Sequence, residues 1–349
     1  MKRVLFLILL ALSSFLCAQP SYYNDVNLML TGLSLKAELA QKITNTHLIQ
    51  LQYSNIWGVL QQTDVDPANS NVVLLFYGYD DGDFNVITDR TRNKLLNGGN
   101  NGEWNREHIY AQSLATPNMT TSFPNAGTDA HHLRSTDVQM NGNRGNRKFA
   151  SGSGNSGNVG SDWYPGNEWK GDVARMMMYM YLRYPAQCLP FNIGVGNSVA
   201  IDPSMIDLFL QWNAQDAVSQ YEQNRNNILE TEQGNRNPFI DNPYLATLIW
   251  GGAIAQDNWN MTLVETNKIE NKFYVYPIPS QHGSIHIYFK SSNEVSSIEL
   301  YSTSGQRIKE IENPKISNSE IVLNGIEKGF YILKAKVGSS IILKKIVIN

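Results

Sequence analysis

The sequence predicts an α+β chain in two parts: a mainly helical domain over residues 20–267 and a small all-β sandwich over residues 268–349. Three observations carry this. Between Lys170 and Tyr184 apolar side chains recur with the helical period. Beyond residue 272, short runs rich in Val, Ile, Tyr and Phe alternate with Gly, Asn and Ser turns. Between the two the charge changes sign: residues 20–267 hold 15 Lys and Arg against 24 Asp and Glu, and residues 268–349 hold 11 against 7. A chain of 349 residues, 42% hydrophobic and 17% charged, is globular rather than disordered and long enough for two domains. Its net charge of -3 counts at first against a nucleic-acid partner, since such proteins usually show a basic footprint.

Residues 1–18 (MKRVLFLILLALSSFLCA) read as a secretory signal peptide, with Lys2 and Arg3 before an apolar run and a cut after Ala18. That run is too short to span a bilayer, and no later segment reaches about 18 apolar residues. The remainder is expected to be soluble and exported. Cys17 sits in a poor context for lipidation. After the cut only Cys188 is left, which excludes an intramolecular disulfide and reads as a small buried apolar residue.

Residues 20–66 read as helical, with Leu28, Leu30, Leu33, Leu35, Leu39 and Ile43 on one face, continuing from Leu48 to Leu60 and broken at Asp66-Pro67. Residues 71–77 (NVVLLFY) read as a buried strand. Residues 79–85 (YDDGDFN) read as a solvated acidic turn without the twelve-residue calcium pattern. Residues 97–106 and 115–128 are loops, and residues 150–162 a flexible Gly/Ser stretch. In residues 170–184, Val173, Met176, Met177, Met180, Tyr181 and Tyr184 mark a core face, Asp172 an N-cap and Pro185 the stop. Asp202-Pro203 opens a further helix, and residues 219–250 are helical around QGNRNPFIDNP. The β-runs FYVYPI, SIHIYF, SSIELYS, EIVLNGI, FYILKAKV and IILKKIVIN complete the tail, where His282 and His286 are lone surface residues.

The chemistry concentrates in WNREHIYAQS (residues 104–113) and DAHHLRSTDVQMNGNRGNRKF (residues 129–149). Glu107 and Asn141 are hard oxygen donors suited to Mg²⁺ or Ca²⁺, with Asp129 and Asp137 as further candidates. His108, His131 and His132 offer a zinc alternative, although no HExxH or CxxC spacing exists. Splitting a phosphodiester needs an activated water, a Lewis acid and positive charge. His108 is suited to take the proton near neutrality. Arg134, Arg144, Arg147 and Lys148 oppose only Asp137 within residues 134–148, a local +3. Ser135 or Thr136 could cap a short helix from Asp137 that aligns Asp137, Asn141 and Arg144 on one face. Adjacent strand residues point to opposite faces, so Glu107 and His108 must sit at a strand end or a bend.

WNREH followed by DAHHL and VQMNGNRGN resembles the bacterial endonuclease I family of secreted or periplasmic nucleases, in the His-Me finger (ββα-metal) superfamily. KGDVAR, YMYLRY and QGNRNPFIDNP extend the likeness over about residues 22–255. The resemblance implies a ββα-metal finger and divalent-metal-dependent cleavage of DNA, and often of RNA, with little sequence preference. It further implies His108 as general base, Glu107 and Asn141 as metal ligands, Arg144 as a phosphate contact and His131 and His132 as supports. Arg106 matches the motif without an evident role, and Tyr110-Ala111 replace the family's frequent proline two residues after the histidine. FYVYPIPS, IELYSTSGQRIKEI and GIEKGFYILKAKVGSSIILKKIVIN are similar to the C-terminal sorting domain of the type IX secretion system, with Pro277-Ile278-Pro279 in place of P-N-P. This implies the secretion machinery as partner and a secreted or surface location. The expectation is a monomeric, Mg²⁺-dependent (or Ca²⁺- or Mn²⁺-dependent) non-specific endonuclease leaving 5′-phosphates. The alternatives are an inactive nucleic-acid-binding module and a zinc hydrolase. The net charge then loses its force, because the local +3 is the relevant figure.

Overall fold

A computed structural model describes residues 19–261, 273–280, 283–289, 295–316, 319–338 and 340–349. The signal-peptide reading of residues 1–18, the expected boundary at 267/268 and His282 lie outside the described residues. The chain forms two units, Met1–Trp259 and Asn260–Asn349. Among the described residues no helix is long and apolar enough to cross a membrane.

The first unit mixes helices with small sheets. The first helical stretch is two helices, α1 (Gly32–Asn45) and α2 (Ile56–Thr63), interrupted at residues 46–52, where Leu48 and Ile49 are exposed. Strands β1 (Val65–Asp66), β2 (Asn69–Leu74) and β3 (Thr91–Asn93) form an antiparallel sheet. β4 (Trp104–His108) pairs antiparallel with β5 (Leu133–Asp137), and α3 (Val138–Arg144) follows directly. β4 thus begins inside the stretch that its Asn and Gly content marks as loop. β6 (Gly157–Val159) and β7 (Asp162–Tyr164) make a hairpin that begins in the Gly/Ser segment of residues 150–162 and runs past its end.

Helix α4 (Lys170–Arg183) is the centre of the unit. Its apolar stripe predicts one buried face, yet every residue from Gly171 to Leu182 is buried. It packs against α1, α5 (Pro190–Ile193), α6 (Asp207–Gln215) and α8 (Pro238–Asp241). Its polar residues are inside because they are paired. Arg175 donates from Nε and Nη2 to Glu222 at 2.6 and 2.8 Å, and Asp172 takes Arg134 Nη1 at 3.2 Å. Asp172 is therefore an internal ion-pair partner rather than the N-cap, which is Trp169.

The Asp202-Pro203 signal is overruled as well. Asp202 starts strand β9 (Asp202–Ile206), paired with β8 (Ser198–Val199), and α6 begins only at Asp207. The Asp202 carboxylate instead accepts from Lys36 Nζ (2.6 Å), Tyr181 (2.8 Å) and Trp250 Nε1 (3.0 Å). Helix α7 (Gln220–Gln233) opens on a capping box between Ser219 and Glu222 and stops at Gly234, φ 92°. α9 (Tyr244–Trp250) completes the unit.

The second unit is all-β. One antiparallel sheet orders β10 (Phe273–Tyr276), β11 (Ile285–Phe289) and β14 (Glu320–Leu323). The other orders β13 (Arg307–Glu312), β12 (Val295–Ser302), β15 (Gly329–Val337) and β16 (Ser340–Ile348). Ile285, Ile287 and Phe289 from the first meet Ile298, Leu300, Leu333 and Ile346 from the second in a shared core. Edge strand β13 (RIKEIE) escapes the sequence pattern because it is almost wholly exposed.

Buried charge holds the first unit in register. The Asp64 carboxylate accepts from Ser135 N at 2.6 Å and pairs with Arg225, which also donates to the carbonyls of Ala130 and Leu133. Asp64→Ala is expected to cost about 3–5 kcal/mol, because it strands a buried guanidinium. Asp25→Ala, which removes an exposed partner of Lys42, should leave stability where it is. Urea denaturation of the two variants checks the contrast.

Candidate active site

The site is built where β4 leaves its ladder. Glu107 lies opposite Arg134 and His108 opposite Leu133 in the β4–β5 register, and His108 is the last residue of the strand. As the alternation rule requires, the pair sits at a strand end, and both side chains line one cleft of about 470 Å³ together with Arg106, Gln112, Asn141 and Arg144. Both are almost fully buried, Glu107 3% and His108 7% exposed.

His108 has one neutral tautomer available to it in this setting. Its Nε2 lies 2.8 Å from the Gly127 carbonyl, which can only accept, so Nε2 carries the proton and Nδ1 the lone pair. Gln112 Nε2 donates to Nδ1 at 3.3 Å, and the Tyr53 ring stacks on the imidazole at 5.5 Å. Burial first, then the neighbouring His132, pushes His108 down to about 3, so the ring is neutral. Gly127 has to be glycine here: a Cβ would fall 2.3 Å from the Thr120 carbonyl.

Glu107 Oε1 accepts from Arg144 Nη1 at 3.0 Å and from the Tyr77 hydroxyl at 3.3 Å. Tyr77 is held at φ 72°, an unfavourable backbone for an aromatic residue, with its carbonyl fixed by Ser156 Oγ at 2.6 Å. Burial nevertheless raises Glu107 to about 7. This carboxyl has too little positive charge around it for its depth. Asn141 donates from Nδ2 to Asn105 Oδ1 at 2.7 Å, which leaves its carbonyl oxygen as the group to offer the cleft. A buried, under-compensated carboxylate beside an amide oxygen fits a hard divalent cation.

Where the sequence points to Arg144 as a phosphate contact, the guanidinium is instead buried and committed. Beyond Glu107 it donates to the carbonyls of His108 (3.0 Å) and Ile109 (2.9 Å). Arg134 is likewise buried against Asp172 and Tyr221, and Lys148 donates to the Phe191 carbonyl. The local +3 of residues 134–148 therefore overstates the basic surface, to which only the half-buried Arg147 and Lys148 contribute. Arg106 differs. Its guanidinium stacks on Tyr53 and Trp57 at 3.6 and 4.0 Å and donates to the Tyr53 carbonyl at 2.6 Å, with no carboxylate partner among the described residues.

The remaining candidates lie outside the cleft. Asp137, not Ser135 or Thr136, caps α3: its Oδ1 accepts from the amides of Gln139 (2.8 Å) and Met140 (2.9 Å), and its Oδ2 takes Arg92 at 2.5 Å. Asp129 is saturated by His131 N, Gln233, Tyr179 and Tyr184. Burial alone would raise its carboxyl, but His47 and His131, then the bonds from Gln233 and the His131 amide, hold it well below the usual carboxylate range. Neither aspartate is free to bind a metal. His131 points Nε2 to the Asn235 carbonyl and His132 to the Ala126 carbonyl, so the three histidines address three separate acceptors. Among the described residues no three His, Cys, Asp or Glu side chains group to hold a metal, and the zinc alternative lacks a donor set. Tyr53, Tyr77 and Gly127 carry no sequence signal of their roles. Gln112 alone could have been suspected, from its place just after the E-H pair.

Residues 31–244 match the family described as Endonuclease I, and residues 274–349 match the secretion system C-terminal sorting domain. The chain is 42% identical over 231 residues to an extracellular ribonuclease of Bacillus subtilis (strain 168), covering 63% of this chain and 75% of that protein. It is 42% identical over 241 residues to an extracellular ribonuclease of Bacillus amyloliquefaciens, covering 66% and 78%.

The histidines behind the cleft set an acid limit. Burial lowers His131 and His132 from 6.5 to about 4. Their folded values lie below the unfolded one, so the stability they contribute is complete above 6.5 and drains away as pH falls toward 4. The urea midpoint is expected to fall through that window, and His131→Asn should flatten the fall. A midpoint constant from pH 7 to 4.5 would contradict their neutral burial.

Proposed function

The chain belongs to the endonuclease I family and ends in a sorting domain, which makes it a secreted or cell-surface nuclease; from that premise we propose that it hydrolyses phosphodiester bonds of DNA and RNA at the His108 cleft. In this reading the reaction depends on a divalent ion, shows no sequence preference and leaves 5′-phosphates, and the β4–β5–α3 unit is a ββα-metal finger. The observation that carries the proposal is the tautomer of His108. With the Nε2 proton spent on the Gly127 carbonyl, the lone pair on Nδ1 is the base in the cleft that Glu107, Asn141 and Arg106 also line, once the attacking water takes the place of Gln112 Nε2, which donates to it at 3.3 Å.

His108 Nδ1 takes a proton from water as the water oxygen bonds to phosphorus. The bond from phosphorus to O3′ breaks, the released oxygen takes a proton from solvent, and the imidazolium of His108 returns its proton to solvent. Burial makes His108 a weak base in the free protein. An anionic phosphate beside it favours the imidazolium and raises its basicity when substrate is bound. Arg106, the cleft arginine without a carboxylate, meets the phosphate, while Arg144 is a positioning residue acting through Glu107 and the strand-end carbonyls. Glu107 and Asn141 would hold the ion, which when bound supplies a Lewis acid to the phosphate oxygens. Contacts to phosphate carry no base information, in keeping with non-specific cleavage. Attack by water needs no 2′-hydroxyl, so both nucleic acids are substrates, and the ribonuclease names of the two Bacillus relatives support the RNA arm.

His108→Ala is expected to slow plasmid nicking and RNA digestion roughly 10²–10⁴-fold in Mg²⁺. Excess chelator should abolish wild-type activity, with Mg²⁺, Ca²⁺ or Mn²⁺ restoring it. Equal rates for wild type and variant sink the assignment of the base, and full activity in chelator removes the ion. Binding without cleavage in every divalent ion identifies an inactive binding module.

A further inference from the structure

Helix α3 separates two clefts. Asn141 and Arg144 line the one already described, while Asn143 and Arg147 line a second of about 490 Å³, together with Tyr79 and with Asn158 and Trp163 of the β6–β7 hairpin. We propose that this second cleft binds a nucleobase of the substrate strand, a few nucleotides from the bond that is cut. The proposal rests on the reading of the His108 cleft as the catalytic centre.

The chemistry of the walls selects a base. The side-chain amides of Asn143 and Asn158 and the Tyr79 hydroxyl make no hydrogen bond to the described residues. An amide presents donor and acceptor side by side, the pattern on the edge of every base. Trp163 is buried in the wall, and its indole N–H has no partner, a cost that a ligand acceptor reaching it would remove. Tyr79, half-buried at the cleft, supplies aromatic surface of the kind on which single-stranded bases stack. No Asp or Glu lines the cleft, and its one cation, Arg147, bonds only to the Asn143 and Arg144 carbonyls. One cation among neutral groups suits a base with its flanking phosphate better than a phosphate alone. The spacing agrees: a helix with its side chains is about 10–12 Å across, a span of a few nucleotides at most.

The test uses the full chain. A Cβ added at Gly157, which also lines this cleft, meets nothing within 4 Å, so Gly157→Phe can obstruct the space without a backbone clash. Asn158→Ala removes one amide. For both variants, KM on a dodecamer oligonucleotide is expected to rise about tenfold, while kcat/KM on bis(4-nitrophenyl) phosphate, a diester without a base, stays at the wild-type value. In the wild type, an abasic residue near the third position from the cut should raise KM as much, and it should add nothing in Gly157→Phe. Unchanged KM in both variants, or equal losses on both substrates, overturns the assignment. Fluorescence anisotropy of the same oligonucleotide in chelator separates this from the catalytic reading. Weaker binding by Gly157→Phe, with His108→Ala binding normally, supports the second cleft even where His108 proves not to be the base. Equal binding by Gly157→Phe and wild type overturns it.

Discussion

The cleft depends on one guanidinium. Arg144, the last residue of α3, reaches back to β4 and donates to the Glu107 carboxylate and to the carbonyls of His108 and Ile109. These acceptors lie buried where the strand leaves its ladder, and losing the guanidinium would leave Glu107 with Tyr77 alone and take a donor from each carbonyl, at a cost comparable to lost hydrogen bonds. The planar fork of an arginine meets three such acceptors, whereas the compact ammonium of a lysine does not reproduce that geometry. The Gly127 carbonyl then turns the ring of His108, and Tyr77 steadies Glu107 from its strained backbone. Position comes from Arg144, and the tautomer comes from Gly127.

Behind this lies a chain of buried ion pairs that joins distant segments. Asp64 connects β5 to Arg225 of α7; Arg134 of β5 reaches Asp172 of α4; Arg175 of α4 reaches Glu222 of α7. Such pairs contribute modest net stability, because desolvation offsets much of the attraction, but breaking any one leaves an uncompensated charge. Their effect is to tie the strand that carries the site to the central helix in one register. The acidic excess of the first unit is partly accounted for in the same way, since many of its carboxylates are internal partners of arginine.

Much of this was legible in the strings, and the failures share a cause. E-H, N-G-x-R-x-N and the arginine before Glu107 lead to six side chains that do share one cleft, Arg106, Glu107, His108, Asn141, Arg144 and Asn146. D-A-H-H-L leads to an internal knot behind it, because only the fold reveals that Asp129 is saturated by Tyr179, Tyr184 and Gln233. The local +3 misleads because the burial of Arg134 is decided by Asp172, and that of Arg144 by Glu107, each more than 30 residues away. α4 was legible as a helix but not as one enclosed on every side, since its charged residues hide their partners. Asp202-Pro203 has the local signature of a helix start, and contacts with Lys36, Tyr181 and Trp250 override it.

The account stands or falls on a neutral His108 that keeps its proton on Nε2. Nitrogen-15 NMR of the imidazole at pH 7, assigned by comparison with His108→Ala, measures this directly. The account predicts a protonated Nε2 and an unprotonated Nδ1. A proton on Nδ1, or a charged ring at that pH, would contradict it.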